Sequence, residues 1–585
     1  MITKQIPYGI SDYERVVNES YYYVDKTMYI EKIEQSPSFL FLIRPRRFGK
    51  SLLLSMLAAY YDINYADRFE ELFGNQYIFN KPTKDRGKYL ILSFNFSLID
   101  ADPKVVKTSF EEHCTEQCNI FVDNYAHLFS TNFREEYHKR LSVGAQLQYL
   151  AHSASYNNLS IYILIDEYDK FTSTILASHG KKLYNDMTHG AGFYRSFFSV
   201  LKGMTTGNAA AVQRMFITGV SPLTMDDLTS GFNIGSNVTL EPQFNDIIGF
   251  SEQELRTMLD YFKAQGKMPH TVEEIIETIR PWYNNYCFAE ECIGNNMYNS
   301  DMVLYYLNAY FSSGEIVLQE MIDHNIKTDY NQLNRLVKLD AALGKNFSVI
   351  QELAETGQTI TAIKRAFPAE ELTDTSNFKS LLFYFGLLSI AGTFRGKVVL
   401  RVPNLVVRDQ LFRYLIEGYK GRFDKSIDID DIEEVMENMA YQGEWKPVFE
   451  LFGKRLGDAS VVREFIEGEA HVKGFMLAHM SQTNHYIIYP EYEMAKGYAD
   501  FYFQPNVYLH PEMLYSYIVE IKYLKRDAKD IDITKMRSDA SEQLRRYAAD
   551  PKVGASLGST QLRLVGVIMK GWEVIDSFEL PPPQE

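Results

Sequence analysis

Two sets of residues have the types and spacing for phosphate chemistry. The first centres on Gly49-Lys50-Ser51. The chain holds seven Gly-Lys pairs, and only this one is followed by Ser or Thr. It also stands between an apolar run, Phe39 to Ile43, and a helical pattern carrying Leu52, Leu53 and Met56. A loop of backbone N–H groups leading into a helix N-terminus is an anion cradle. Lys50 would reach the β- and γ-phosphates of ATP, and the Ser51 hydroxyl would bind its Mg2+. Arg46, Arg47, Phe48, Gly49 and Leu52 are the expected neighbours of the nucleotide. The loop motif G-x-x-x-x-G-K-[ST] asks for Gly where this chain has Arg44. Downstream, Ile161 to Ile165 end in Asp166-Glu167, the form of a strand that delivers a magnesium-holding acid. Asp166 would hold the ion, and Glu167 would polarise the attacking water. Thr218, closing the run Arg214 to Thr218, is a candidate γ-phosphate sensor. An arginine finger is not assigned; Arg195 and Arg214 are the candidates. A buried strand with an ordinary acidic loop is the competing reading of Asp166-Glu167.

The second set lies near the other end. In Tyr515 to Lys522, the acid Glu520 and the base Lys522 are two apart, so a strand puts both on one face. An acid and a lysine on an otherwise apolar strand are costly if buried without partners. Asp500, in Gly497-Tyr498-Ala499-Asp500, opens the preceding strand. Asp500 and Glu520 would together hold Mg2+, with Glu493 as a further ligand. Lys522 would position or activate the attacking water and stabilise the transition-state charge. Glu469 and Glu491 are further carboxylates, and Gln543 and Tyr547 fall at i, i+4 on a later helix. Glu-x-Lys alone is common on exposed strands; the ordered set is what singles it out.

These residues need elements to position them. Short apolar runs (Phe39 to Ile43, Tyr89 to Phe94, Ile161 to Ile165, Arg214 to Thr218) alternate with helical stretches, including one from about Lys107 to Ala151. Fully apolar strands between helices predict a parallel sheet covered on both faces. Residues 250–420 are mostly helical in period. Near their end a helix, Asn377 to Phe385, runs into a hairpin pattern, Leu387 to Ile390 and Gly396 to Leu400. That order fits a winged-helix module or a plain α+β connector. The last part predicts a helix over Val462 to Ser481, strands at Tyr486 to Tyr489, Ala499 to Phe503, Tyr515 to Lys522 and Gln561 to Met569, and a helix near Asp539 to Ala549. The Pro581-Pro582-Pro583 tail is expected to be disordered. The expected fold class is α/β. Its parts are an N-terminal P-loop NTPase sheet over 1–245, a helical and winged-helix-like region over 246–425, and a C-terminal α/β restriction-endonuclease-like domain over 426–585.

At 585 residues, the chain is long enough for several domains. The net charge of −16 argues against a surface coated in positive charge for nucleic acid, though a local basic stretch runs from Lys522 to Arg546. No apolar run approaches the ~18 residues of a membrane span. The first residues lack the basic-then-apolar pattern of a signal peptide, so the expected compartment is the cytoplasm. Four cysteines build no disulfide framework and no four-ligand zinc cluster.

Ile6-Pro7-Tyr8-Gly9-Ile10, Tyr23-Val24-Asp25-Lys26-Thr27, Arg44 to Ser51 and Leu164 to Lys170 together resemble the AAA-ATPase-like family of bacterial proteins. The C-terminal region resembles the PD-(D/E)XK nuclease superfamily through Gly497-Tyr498-Ala499-Asp500 and Glu520-Ile521-Lys522, with Ala499 where that superfamily has Pro. Arg44 at the loop start is typical of the first family. The resemblance implies an ATP-binding, ATP-hydrolysing protein coupled to a Mg2+-dependent deoxyribonuclease centre, with nucleic acid, DNA first, as partner. It leaves a homo-oligomer open and implies no membrane. A nucleotide-dependent switch or scaffold with a dormant nuclease fold is the alternative.

Overall fold

The computed structural model describes residues 4–207, 210–225, 232–314, 316, 318, 320–323, 346–420, 429–458, 469–494, 497–507, 509–526, 528 and 532–581. The side chains of 346, 347, 355, 373, 416–420, 458, 470, 471 and 491–494 are outside the description. The chain divides into two compact units, residues 1–346 with 360–404, and residues 347–359 with 405–585.

The first unit is built on a five-stranded parallel sheet: β1 (Phe39–Ile43), β2 (Tyr89–Asn95), β3 (Ser160–Asp166), β4 (Val212–Gly219) and β5 (Ser236–Asn237), in the order β2-β3-β4-β1-β5. Helices cross between the strands: Lys50–Tyr61 after β1, Val106–Tyr125 and Val143–Tyr156 after β2, and Phe193–Gly203 before β4. The continuous apolar runs have the physical reason expected of them. In β3, Ile161 to Ile165 are all at most 3% exposed, because helices cover both faces. The long helical stretch expected from Lys107 breaks into separate helices around Phe133–His138. The core is rich in aromatics. Phe96, Phe110, Phe171, Tyr194 and Phe197 meet mostly at steep angles, the arrangement that ring quadrupoles favour.

Two short strands, β6 (Phe250–Ser251) and β7 (Met297–Tyr298), pair antiparallel beside the loop that follows β1. A further short strand is β8 (Gln358–Thr361). The helix Thr375–Tyr384 precedes an antiparallel hairpin of β9 (Ser389–Phe394) and β10 (Lys397–Arg401), with bounds one to four residues from the pattern read in the sequence.

The second unit holds a mixed sheet in the order β11-β12-β13-β14-β15, from β11 (Tyr486–Met494), β12 (Gly497–Pro505), β13 (Tyr515–Leu524), β14 (Gln561–Lys570) and β15 (Glu573–Leu580). Only β13 and β14 run parallel, and the helix Ile533–Ala548 lies between them in the chain. That helix buries Ala540, Leu544 and Tyr547 against Ala499, Tyr502, Ile518 and Leu564. The helix Glu469–Met480 ends just before β11. Gly566, paired with Glu520, admits no side chain: a Cβ there would lie 2.3 Å from the Phe578 ring. Among the described residues no helix is long and apolar enough to cross a membrane. Residues 582–585 of the proline tail lie outside the description.

Candidate functional site

The first site forms where β1 ends. Residues 44–49 turn through two left-handed positions, Arg47 at φ +66° and Gly49 at φ +96°. The second suits only glycine without strain. The helix then starts at Lys50, its N-terminus facing the loop. Lys50 is 5% exposed, and its Nζ donates to the Arg44 and Pro45 carbonyls at 3.1 and 2.9 Å. Burial lowers its pKa, against the pull of Glu167, Asp166 and Asp169. The Ser51 hydroxyl donates to Asp166 Oδ2 at 2.5 Å, and Thr218 Oγ1 donates to Asp166 Oδ1 at 2.6 Å. Ser51, Asp166 and Thr218, drawn from three elements, are thus one hydrogen-bonded chain at the carboxyl ends of the strands, where open α/β sheets take ligands.

A cavity of about 300 Å3 opens over this chain. Gly49, Lys50, Ser51, Leu52 and Glu167 form one side. Arg47 and Phe48 also line it, while Arg46 does not. Phe48 is pinned by edge contacts with Tyr286 and Phe288, centroids 4.9 and 5.5 Å away. Glu167 itself adopts φ +53°. Arg47 donates to Asp301 at 2.8 Å and to Asp323 at 3.4 Å. The opposite walls are Pro7, Gly9–Ser11, Tyr22–Val24 and Ile247–Phe250. Lys26 secures one of them: its Nζ donates to both Glu254 carboxylate oxygens at 2.7 and 2.8 Å, and to the Asp246 carbonyl at 2.9 Å.

Arg44 turns away from this cavity. Its guanidinium is fully buried and donates to the carbonyls of Ile43, Thr239 and Phe244, with Phe288 stacked at 4.2 Å. Burial lowers its pKa to about 9. The residue standing for the motif's first glycine is an internal brace. Arg195 donates to the Gly190 carbonyl, and Arg214 reaches the Ile33 and Glu34 carbonyls and Asp85; neither lines the cavity.

Hard oxygen ligands suit Mg2+, and Ser51 and Asp166 meet as oxygens across one short hydrogen bond. The Lys50 ammonium resting on loop carbonyls fits a group awaiting phosphate. Sequence reasoning missed Asp169, which is 3% exposed and accepts the Val220 and Ser221 N–H groups at 2.9 and 2.7 Å. It ties the turn after β3 to the turn after β4. It also missed the walls contributed by 247–250 and by Asp301, for which no local pattern exists.

The second site sits on β12 and β13. These pair antiparallel, Phe501 opposite Val519, which sets Asp500 beside Glu520. Asp500 Oδ2 accepts the Ile521 N–H at 2.6 Å. Lys522 Nζ donates to Glu520 Oε1 at 2.9 Å and to Gln543 Oε1 at 2.5 Å. Gln543 and Tyr547 share one side of their helix, and Tyr547 rises against Gly497. Asp500, Glu520, Lys522 and Gln543 are therefore brought together. The side chain of Glu493, the other expected ligand, lies outside the described residues, though its backbone pairs with Tyr498 in β11 and β12.

Glu520 is 3% exposed, and its Oε2 has no hydrogen-bond partner among the described residues. Burial, then the charge of Asp500, pushes its pKa up to about 7, with Lys522 pulling the other way. Burial also raises Asp500, opposed by Lys473 and the Ile521 N–H. Lys473 was not read from the sequence. Its Nζ lies 2.5 Å from Asp500 Oδ1 and 2.6 Å from Glu469 Oε1. Its i, i+4 spacing from Glu469 was the available signal. Among the described residues no group of three or more His, Cys, Asp or Glu side chains is arranged to hold a metal. The orphaned Glu520 oxygen beside a second carboxylate is nonetheless a donor pair that suits a hard cation. The basic stretch from Lys522 to Arg546 is partly neutralised: Arg537 pairs with Asp576, and Arg546 with Glu542. Lys525, Lys535 and Arg545 remain exposed, and Lys529 lies outside the described residues.

Comparison with known proteins matches two separate parts of the chain. Residues 7–229 match the family model described as Predicted AAA-ATPase, and residues 467–579 match that of the PD-(D/E)XK nuclease superfamily. The chain is 26% identical over 297 residues to the "Uncharacterized protein in vnfD 5'region" of Azotobacter chroococcum mcd 1. That match covers 50% of this chain and 51% of the relative, so the chain spans about half the length of the curated relative it matches. Among solved structures, the ORC2 protein of Aeropyrum pernix, in ADPNP–ADP complexes, is 11% identical with a TM-score of 0.32 over 70% of this chain and 98% of that one. Cdc6p of Pyrobaculum aerophilum is 11% identical with a TM-score of 0.26 over 71% and 96%. The chain therefore joins an AAA-ATPase-like region at its N-terminal end to a region of the PD-(D/E)XK nuclease superfamily near its C-terminus.

Proposed function

We propose that the chain binds and hydrolyses ATP with Mg2+ in the N-terminal cavity, and that its C-terminal sheet cuts DNA phosphodiesters at a Mg2+-dependent centre. The observation that carries the first half is the chain Ser51–Asp166–Thr218 beneath Lys50, with Glu167 lining the same cavity. Lys50 would leave the loop carbonyls for the β- and γ-phosphates. Glu167 would accept the proton of the attacking water, and Thr218 would sense the γ-phosphate. In the second half, bound Mg2+ supplies Lewis-acid stabilisation of the phosphate charge. Asp500 and Glu520 would hold it. Lys522, oriented by Gln543, would position the attacking water and offset negative charge in the transition state. The superfamily match supports a nucleic acid as the substrate class, and this reading takes DNA first. A cytoplasmic setting, and assembly into a homo-oligomer, belong to the same reading.

A second reading, a nucleotide-dependent switch with a dormant nuclease fold, is favoured by one observation: the Lys473 ammonium already occupies Asp500. Supercoiled plasmid incubated with the protein, Mg2+ or Mn2+, with and without ATP, separates the two. Metal-dependent nicking that falls at least about 100-fold in Lys522→Ala supports the nuclease, since one charge-stabilising group contributes on that order. No nicking under any condition, with ATP binding lost only in Lys50→Ala, supports the switch.

A further inference from the structure

In the second site the helix Glu469–Met480 aims one cation at the carboxylate pair. Lys473 stands one turn after Glu469, and its side chain is 12% exposed. Its ammonium bridges Glu469 Oε1 and Asp500 Oδ1. Asp500 then has a partner on each oxygen: one takes the ammonium and the other takes the Ile521 N–H. Glu520 gives one oxygen to Lys522 and keeps the other without a partner. Among the described residues, three carboxyl groups, Glu469, Asp500 and Glu520, thus face two ammonium groups, Lys473 and Lys522. With all three carboxyls ionised this group carries a net negative charge, which attracts a cation, while Asp500 is already paired with one.

We infer that Lys473 is a resident counter-cation that competes with a divalent ion for Asp500 and so sets the affinity of the centre. Binding then requires the ammonium to give up Asp500 while it keeps Glu469, its neighbour one helical turn away. A centre built this way has much of its negative charge offset when empty and loads at divalent concentrations higher than its carboxylates alone would need. This inference rests on reading Asp500 and Glu520 as the metal-binding pair.

The test is calorimetric titration of the full chain with MnCl2, read as affinity with no substrate present. Lys473→Met is expected to bind Mn2+ about tenfold or more tightly than the unmodified protein, because a like charge a few ångströms from the ion has been removed. Lys473→Arg, which keeps the charge, is expected to stay near the unmodified value. Glu469→Gln is expected to weaken binding in the unmodified background, since Lys473 then loses the carboxylate that draws it away from Asp500, and to change nothing in the Lys473→Met background. Equal or weaker binding by Lys473→Met overturns the inference. So does a Glu469→Gln loss that persists in the Lys473→Met background, which would make Glu469 a ligand. Lys473→Gln replaces Lys473→Met if the latter fails to unfold cooperatively. Glu520→Gln separates the two levels of the argument. If the unmodified protein binds Mn2+ and Glu520→Gln does not, only the role of Lys473 is at stake. If neither the unmodified protein nor Lys473→Met binds Mn2+, the metal centre itself falls, and this inference falls with it.

Discussion

Asp169 joins two turns by accepting the N–H groups of Val220 and Ser221. Burial, then the charge of Glu167, pushes its pKa from 3.8 up to about 6. The folded state therefore binds this proton more tightly than the unfolded chain. The stabilisation is fully present below the unfolded value and is lost as pH rises through the folded one. A difference of about two pKa units corresponds to about 3 kcal/mol. We expect Asp169→Asn to remove this slope: the stability difference between unmodified protein and variant, from urea unfolding, should change between about pH 4 and pH 6 and be flat above pH 7. A difference independent of pH across that window would show that Asp169 does not titrate there. Lys50 lies at the same scale. It takes its place from two loop carbonyls, so Lys50→Ala should abolish the rise in apparent stability that saturating ATP and Mg2+ produce, about 2.7 kcal/mol at 100 times Kd.

At the scale of the element, the loop from β1 to the Lys50 helix depends on a brace that its motif does not describe. Arg44 replaces the motif's glycine, yet its guanidinium points inward and satisfies the carbonyls of its neighbour Ile43 and of the distant Thr239 and Phe244. A glycine there would leave those carbonyls unpaired and a void beside Phe288. Arg44→Ala and Arg44→Gly should each destabilise the protein by on the order of 3–5 kcal/mol. Arg44→Gly, which restores the motif, should not bind ATP more tightly. Denaturant unfolding together with nucleotide titration checks both statements, and tighter binding by Arg44→Gly would show that the arginine hinders the loop. In the second unit, β12 and β13 do the equivalent work. Period two puts Glu520 and Lys522 on one face, and antiparallel register brings Asp500 alongside.

Across the whole molecule, each unit carries its own sheet and its own site. The N-terminal cavity takes its walls from segments more than 200 residues apart in sequence, Pro7 to Ser11 and Ile247 to Phe250 among them. Hydrogen exchange with ATP and Mg2+ should slow amides at 9–11, 22–24, 47–53 and 247–250. Protection confined to 47–53 would mean that the walls do not close on the nucleotide.

What could be read from residues alone was local. Apolar runs between helical periods predicted the parallel sheet, because strands buried on both faces must be apolar throughout. Gly49-Lys50-Ser51 was singled out by its flanks, and the pairing of Glu520 with Lys522 by the two-residue repeat of a strand. The break of the Lys107 stretch into separate helices and the strand β15 were not read, since periodicity locates an element better than its ends. Lys473 on Asp500, the inward turn of Arg44, the clamp made by Asp169 and the far walls of the cavity were decided only by the tertiary structure. Each is a contact between residues tens to hundreds of positions apart, and its partner is chosen by which surfaces the packed sheets and helices bring within reach, which neighbouring residues in the chain do not encode.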